Sequence, residues 1–334
     1  MSEDLASKRA FRALVCGTNY GASYVKAVLR SDGRFALAGL LTRGSERSCH
    51  LATKLDVPLY TDADEVPDDI DIACVAVPPP AGAHIAVRLL RRGIHVIREQ
   101  PISPVEVKGC LGAARSGGSL FYVNAHWGEL PAGTEFIRAC ALTRQHEAPL
   151  CIWAVANRRA MFHLVDILGR ALGKLAPTEL EAVSPAEIRE AAAFTVLQGT
   201  LGGVPLTMLV QSFLGEVDDG KSDLAGFQAT MTFRGGHVSL VEAFGPVVTS
   251  GWPGHFEPQR PAWSINSQTP VSGRDTGDLR IAANLVTLHS LADAVVTGKS
   301  PFEQQEAHLM ATAEVGKLCY ELLGSPRFVV TVPG

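Results

Sequence analysis

The run Phe11-Arg-Ala-Leu-Val-Cys16 passes without a break into Gly17-Thr18-Asn19-Tyr20-Gly21-Ala22, and a helical pattern follows to Leu29. A short apolar strand, a glycine turn and a helix start, in that order, open a parallel strand–helix–strand unit. Set against G-x-G-x-x-G/A, Gly17 takes the first position, Asn19 the second and Ala22 the third. The middle glycine of that pattern lets backbone approach a pyrophosphate, and Asn tolerates unusual φ better than most residues, so the departure is mild. The turn predicts a dinucleotide cradle made by Gly17, Thr18, Asn19, Tyr20 and Gly21.

Outward from this turn the alternation continues. Apolar runs at Phe35–Leu41, Ile70–Val77, His95–Arg98 and Leu120–Asn124 are spaced by helical patterns at Glu46–Leu55, Ala81–Gly93 and Pro104–Ser116. Continuous apolar strands separated by helices belong to a parallel sheet covered on both faces, which binds ligands beyond the carboxyl ends of its strands. The expected fold is therefore α/β, with an N-terminal Rossmann domain over residues 1–125.

Residues 126–334 read differently. After a strand at Leu150–Ala156, the runs Val204–Phe213, Phe227–Phe233 and Val238–Phe244, with Arg234-Gly-Gly-His237 as a turn, predict an antiparallel meander. The expectation is an α+β domain with an open, mainly antiparallel sheet, used for substrate binding and dimerisation. A Pro/Gly/Ser-rich stretch, Ser250–Gly277, reads as a loop over the site, carrying Trp252 and Trp263. Two amphipathic helices, Asp278–Thr297 and Phe302–Leu323, close the chain and are expected to pack back toward the Rossmann domain.

The tip of the second strand is the next clue. An NAD-type site places Asp or Glu there for the ribose hydroxyls. Here the segment is Thr42-Arg43-Gly44-Ser45-Glu46-Arg47-Ser48, with two guanidinium groups and three hydroxyls at the tip. A phosphate monoester suits that set, and Ser45 can cap the following helix, whose N-terminus favours an anion. The residues predict NADPH over NADH.

Composition limits the remaining classes. The chain has 334 residues, 46% hydrophobic and 19% charged, which suits two globular cores and rules out general disorder. A net charge of −4 provides no basic field for nucleic acid. The apolar runs fall short of the roughly 20 residues of a membrane span, so no membrane role is expected. Seven scattered cysteines without a C-x-x-C pair suggest reduced thiols in a cytoplasm. No H-E-x-x-H spacing, phosphate loop or nucleophile elbow is present, and no metal is assigned.

These motifs, taken with Val75-Ala-Val77-Pro78-Pro79-Pro80 after the third strand and His95-Val-Ile-Arg-Glu-Gln-Pro101 after the fourth, resemble the Gfo/Idh/MocA oxidoreductase family. Leu41–Ser48 with Val57-Pro-Leu-Tyr60, and Val238-Ser-Leu with Phe244-Gly-Pro-Val247, further resemble the thiazolinyl imine reductases of siderophore assembly lines. The resemblance implies NADPH-dependent reduction of a thiazoline C=N to a thiazolidine, on a substrate tethered to the carrier domain of a nonribosomal peptide synthetase. It also implies a homodimer, and places Val77, Pro78, Pro79, His84 and Glu99 near the cofactor.

Two departures bear on the chemistry. The wider family has Glu-Lys-Pro where this chain has Glu99-Gln100-Pro101, and Gln100 can orient or hydrogen-bond but cannot act as an acid. The imine reductases carry a His there and a Tyr after the fifth strand, where this chain has Ala125-His126-Trp127-Gly128-Glu129. A proton must still reach the nitrogen, which favours a group titrating near neutrality. The candidates are His126, at the edge of the sheet; His163, three residues before Asp166 on one helix face, so that the carboxylate could orient it; and Glu129, given a raised pKa. Arg158 and Arg159 read as a surface pair, and His237 and His255 as solvated. A sugar or cyclitol dehydrogenase and a non-catalytic NADP-binding protein stand as alternatives.

Overall fold

The computed structural model describes residues 9–183, 193–215, 226–251, 263–265 and 275–329. The chain divides into two compact units, Met1–His126 with Gly277–Glu306, and Trp127–Thr276 with Ala307–Gly334.

The first unit is built on six strands, β1 (Phe11–Cys16), β2 (Phe35–Leu41), β3 (Leu59–Tyr60), β4 (Ile72–Val75), β5 (His95–Glu99) and β6 (Phe121–Asn124). All pair in parallel in the order β3-β2-β1-β4-β5-β6. The order reverses between β1 and β4, so the crevice beyond their carboxyl ends is the natural ligand site. Helices α1 (Gly21–Leu29), α2 (Glu46–Leu55), α3 (Ala81–Arg91) and α4 (Pro104–Gly117) follow β1, β2, β4 and β5. The two-residue edge strand β3 is too short to show as a period in the sequence. Gly17 holds φ +86°, and a Cβ there would stand 2.9 Å from the Ala76 carbonyl oxygen, so the first turn requires glycine.

The two closing helices part company. Ile281, Leu288 and Leu291 of the helix Asp275–Thr297 are buried in one core with Val15, Tyr24, Ile72 and Ile97, and this helix belongs to the first unit. Sequence reading expected both closing helices to pack back toward the Rossmann domain; Asp275–Thr297 does so, whereas Val315, Cys319 and Leu323 of Glu306–Leu323 lie in the core of the second unit. The segment Thr276–Thr297 is long and apolar enough to cross a membrane by length and composition alone, and it is partly buried. The expected helix Phe302–Leu323 is instead a 3-10 turn, Phe302–Gln304, and a helix, Glu306–Leu323. Gln304 exchanges two 3.0 Å hydrogen bonds with the backbone of Val123, which ties the turn to β6.

The second unit carries β7 (Cys151–Asn157), β8 (Thr178–Ala182), β9 (Phe194–Leu201), β10 (Val204–Gln211), β11 (Phe213–Gly215), β12 (Gln228–Phe233), β13 (Gly236–Leu240), β14 (Val247–Gly251), β15 (Trp263–Ile265) and β16 (Arg327–Val329). Eight of them form a sheet in the order β15-β14-β13-β12-β7-β10-β9-β8, antiparallel except for β7 beside β10. One face is buried: Ile152, Met208, Met231 and Phe233 pack with Phe136 of α5 (Pro131–Arg144) and Leu164 and Leu168 of α6 (Met161–Leu172). Alternate residues point the other way, leaving Trp153 and Leu209 exposed at 59% and 37%. Trp263 lies on β15, exposed, where a loop was expected. The rest of the expected loop, with Trp252 and His255, falls largely outside the described residues.

Candidate functional site

A cavity of about 570 Å³ opens at the switch point of the first unit. The turn after β1 supplies Gly17, Thr18 and Asn19, the tip of β2 supplies Thr42, Arg43, Ser45 and Arg47, and the segment after β4 supplies Val77, Pro78 and His84. Of the other cofactor residues named from sequence, Tyr20, Gly21, Gly44, Ser48, Pro79 and Glu99 do not line it. Gly44 and Ser48 serve the shape of the β2 tip instead. The Gly44 N–H donates to Thr42 Oγ1 at 3.1 Å, and Ser45 caps α2 by accepting from the Ser48 N–H at 3.4 Å.

Charge on this rim is unevenly used. Arg88, one helical turn beyond His84, is held by Asp62 and Asp64; the hydrogen bond to Asp64 first, and then the two carboxylate charges, raise its pKa. Sequence reading missed Arg88, although the i,i+4 spacing from His84 on an amphipathic helix was there to find. Arg43 and Arg47 are exposed, and among the described residues neither meets a carboxylate. Two uncompensated guanidinium groups, a capping hydroxyl and a helix N-terminus form a donor set for a phosphate monoester.

At the end of β5 the carboxyl of Glu99 accepts from the Tyr24 hydroxyl and from Asn124 Nδ2, the latter at 2.6 Å. Burial pushes Glu99 up to about 7, against the pull of those two hydrogen bonds and of Arg98. Asn124 also donates to Asn284 Oδ1 at 2.9 Å, and Asn284 donates to Ser23 Oγ at 2.9 Å. Neither hydrogen-bond partner of Glu99 was visible in the sequence, since Tyr24 lies on α1 and Asn124 on β6. The next residue, Gln100, turns its Oε1 inward, and no described group donates to it. A buried acceptor to which no described residue donates, and a glycine turn that a Cβ would fill, fit a nicotinamide dinucleotide. Gly17–Asn19 would hold its pyrophosphate. His126 closes this unit, 5% exposed, with its Nδ1 3.2 Å from the Tyr20 hydroxyl.

In the second unit the predicted pairing of His163 with Asp166 is not what forms. Asp166 Oδ1 meets His308 Nε2 at 2.9 Å, and its Oδ2 lies 3.6 Å from Arg170 Nη1. His163 instead stacks on Trp127, with ring centroids 5.1 Å apart and planes within 6°, while Phe227 meets the other ring edge-on at 4.8 Å. Glu129 accepts from Arg170 Nη1 at 2.8 Å in an ion pair. Arg158 is not at the surface: it is 7% exposed, lies 5.2 Å over the Tyr320 ring and donates to the Gly324 carbonyl at the end of the helix Glu306–Leu323. His237 is bonded to Ser250 at 2.6 Å.

Comparison with known proteins agrees with this geometry. Residues 11–125 match the oxidoreductase family described as Gfo/Idh/MocA, NAD-binding Rossmann fold. The Rossmann portion of this chain is thus similar to the Gfo/Idh/MocA oxidoreductases. Residues 147–250 match the C-terminal family described as thiazolinyl imine reductase, Irp3-like. Among curated proteins, glucose-fructose oxidoreductase domain-containing protein 2 of Xenopus tropicalis is 34% identical over 104 residues, 30% of this chain and 27% of that protein. Domain-containing protein 1 of Mus musculus is 35% identical over 103 residues, 30% and 26% of the two chains. The match thus spans about a quarter of those relatives. Solved structures agree over nearly the whole length. GenD2 from gentamicin A biosynthesis, in complex with NAD, superposes at TM-score 0.70 with 17% identity, covering 95% of each chain. UDP-N-acetylglucosamine 3-dehydrogenase GnnA from Acidithiobacillus ferrooxidans gives 0.70 with 14% identity, over 94% and 97%. At such identities these show the fold alone.

Proposed function

We propose that this chain is an NADPH-dependent imine reductase that converts a thiazoline C=N to a thiazolidine on a siderophore-type intermediate, held as a thioester on the carrier domain of a nonribosomal peptide synthetase. The observation that carries the reading is the likeness of residues 147–250 to the Irp3-like C-terminal family. Three features support it. Arg43 and Arg47 stand without counter-charge where an NAD site would place an acid, and favour the 2′-phosphate of NADPH. Gln100 stands where sugar-oxidising relatives would need an ionisable side chain. The buried imidazole of His126, on the unit that carries the cofactor cleft, supplies the proton for the reduced nitrogen. Bound NADPH supplies the hydride; the chain's own groups bind the phosphates, orient the nicotinamide through Gln100 and deliver the proton. The working form is a cytoplasmic homodimer joined through the outer sheet face of Trp153 and Leu209.

The reading is tested by offering the purified protein a thiazoline thioester and following loss of nicotinamide absorbance with NADPH and with NADH. Turnover that requires the thiazoline and prefers NADPH supports it. Binding of NADPH with no thiazoline turnover, accompanied by oxidation of a polyol, overturns it.

A further inference from the structure

With Gln100 unable to donate, the proton step falls to a histidine, and the way His126 is held carries a consequence. Tyr20 belongs to the Gly17–Ala22 turn, yet it does not line the cofactor cleft. Its hydroxyl reaches His126 Nδ1 at 3.2 Å instead, with the two rings 5.8 Å apart and inclined by 36°. On its other side Tyr20 meets the Tyr24 ring edge-on at 6.1 Å. A residue of the nucleotide turn is thus spent on an imidazole that follows the last strand of the sheet, 106 positions away.

We propose that Tyr20 is the positioning residue of the proton step, pinning the Nδ1 edge of His126 so that Nε2 is the nitrogen that exchanges the proton. The inference rests on the reading of His126 as the donor. Burial first, and then the charge of Glu99, push the Tyr20 phenol well above its usual range, against hydrogen bonds from Asn284 and Ser23 and the charge of Arg280. The hydroxyl therefore keeps its hydrogen throughout the neutral range and serves both states of the ring. It donates to Nδ1 of the neutral imidazole, which leaves the ring hydrogen on Nε2, and it accepts from Nδ1–H of the imidazolium. As hydride reaches the imine carbon, the C=N π pair moves onto nitrogen. That nitrogen takes the Nε2 proton of the imidazolium, the N–H bond pair stays on the ring, and solvent returns a proton to Nε2.

The test uses Tyr20→Phe, which keeps both ring contacts and removes one oxygen, beside His126→Gln. Histidine-selective nitrogen-15 spectra of the ligand-free protein report the tautomer, with the His126 signals identified by their loss in H126Q. The wild-type neutral ring is expected as Nε2–H with an unprotonated Nδ1, and Y20F as a mixture of tautomers. In turnover, Y20F should lower kcat about tenfold, the scale of one hydrogen bond to the reacting group, with KM and NADPH affinity held. H126Q should lower kcat by about a hundredfold or more, the span of a lost general acid. An unchanged tautomer and kcat in Y20F, with H126Q impaired, overturns the role of Tyr20 and leaves His126 as donor. Wild-type turnover in H126Q overturns the donor assignment, and this proposal with it.

Discussion

Replacing Arg43 by Ala removes one of two guanidinium groups at the tip of β2 that no described carboxylate compensates. A charge-assisted hydrogen bond to phosphate contributes about 1.5–3 kcal/mol when sheltered, and exposure moves the figure toward the lower end. Arg43 is exposed and Arg47 stands beside it to take part of the load, so R43A should weaken NADPH binding about tenfold, close to 1.4 kcal/mol. NADH lacks the 2′-phosphate, and its affinity should change less than about twofold, as for any surface substitution away from a contact. The double variant R43A/R47A should lose more than either alone but less than their product, because the two share one ligand group. Nicotinamide fluorescence titration at low and raised salt reads all of this. The wild-type preference for NADPH should shrink with salt, and that of the double variant should not. Equal weakening of NADPH and NADH by R43A would refute the phosphate assignment.

Three other outcomes can be checked. Gly17→Ala forces a side chain into φ +86° and against the Ala76 carbonyl, and should lower stability by about 1–2 kcal/mol in chemical denaturation and abolish cofactor binding. Glu99 is raised to about 7 from an ordinary 4.5, so its contribution to stability is complete below about 4.5 and is lost as pH rises through 7. Thermal melts of the wild type should therefore decline between pH 5 and 8 relative to Glu99→Gln, and parallel curves would remove Glu99 as the cause. Trp153→Glu, on the exposed face of the second unit's sheet, should convert the proposed dimer to monomer in sedimentation while leaving each unit folded.

What could be read in advance was what lies close together along the chain. The Phe11–Ala22 run shows both its strand and its turn locally, and the Thr42–Ser48 tip shows its cations and its cap within seven residues, so the fold and the cleft at the tips of β1 and β2 were legible. The His163–Asp166 spacing was also local, and it misled. Asp166 is bonded to His308, 142 positions along the chain, and to Arg170, and a carboxylate takes the partners that burial brings to it rather than the nearest in sequence. Arg158 shows the same limit, since its stacking on Tyr320 depends on where a helix from the end of the chain returns. The helix Asp275–Thr297 presents an apolar stripe that either core could have taken, and the first unit takes it. Tyr20 was legible as a member of the glycine turn but not as the partner of His126.

The central claim is that hydride from NADPH ends on the carbon of a thiazoline C=N. It is tested most directly by incubating the protein with a carrier-tethered thiazoline and NADPH deuterated at the transferring position, then releasing and analysing the product by mass spectrometry. The account predicts a thiazolidine carrying one deuterium at the former imine carbon. A recovered thiazoline without deuterium, under conditions where the protein binds NADPH, would contradict it.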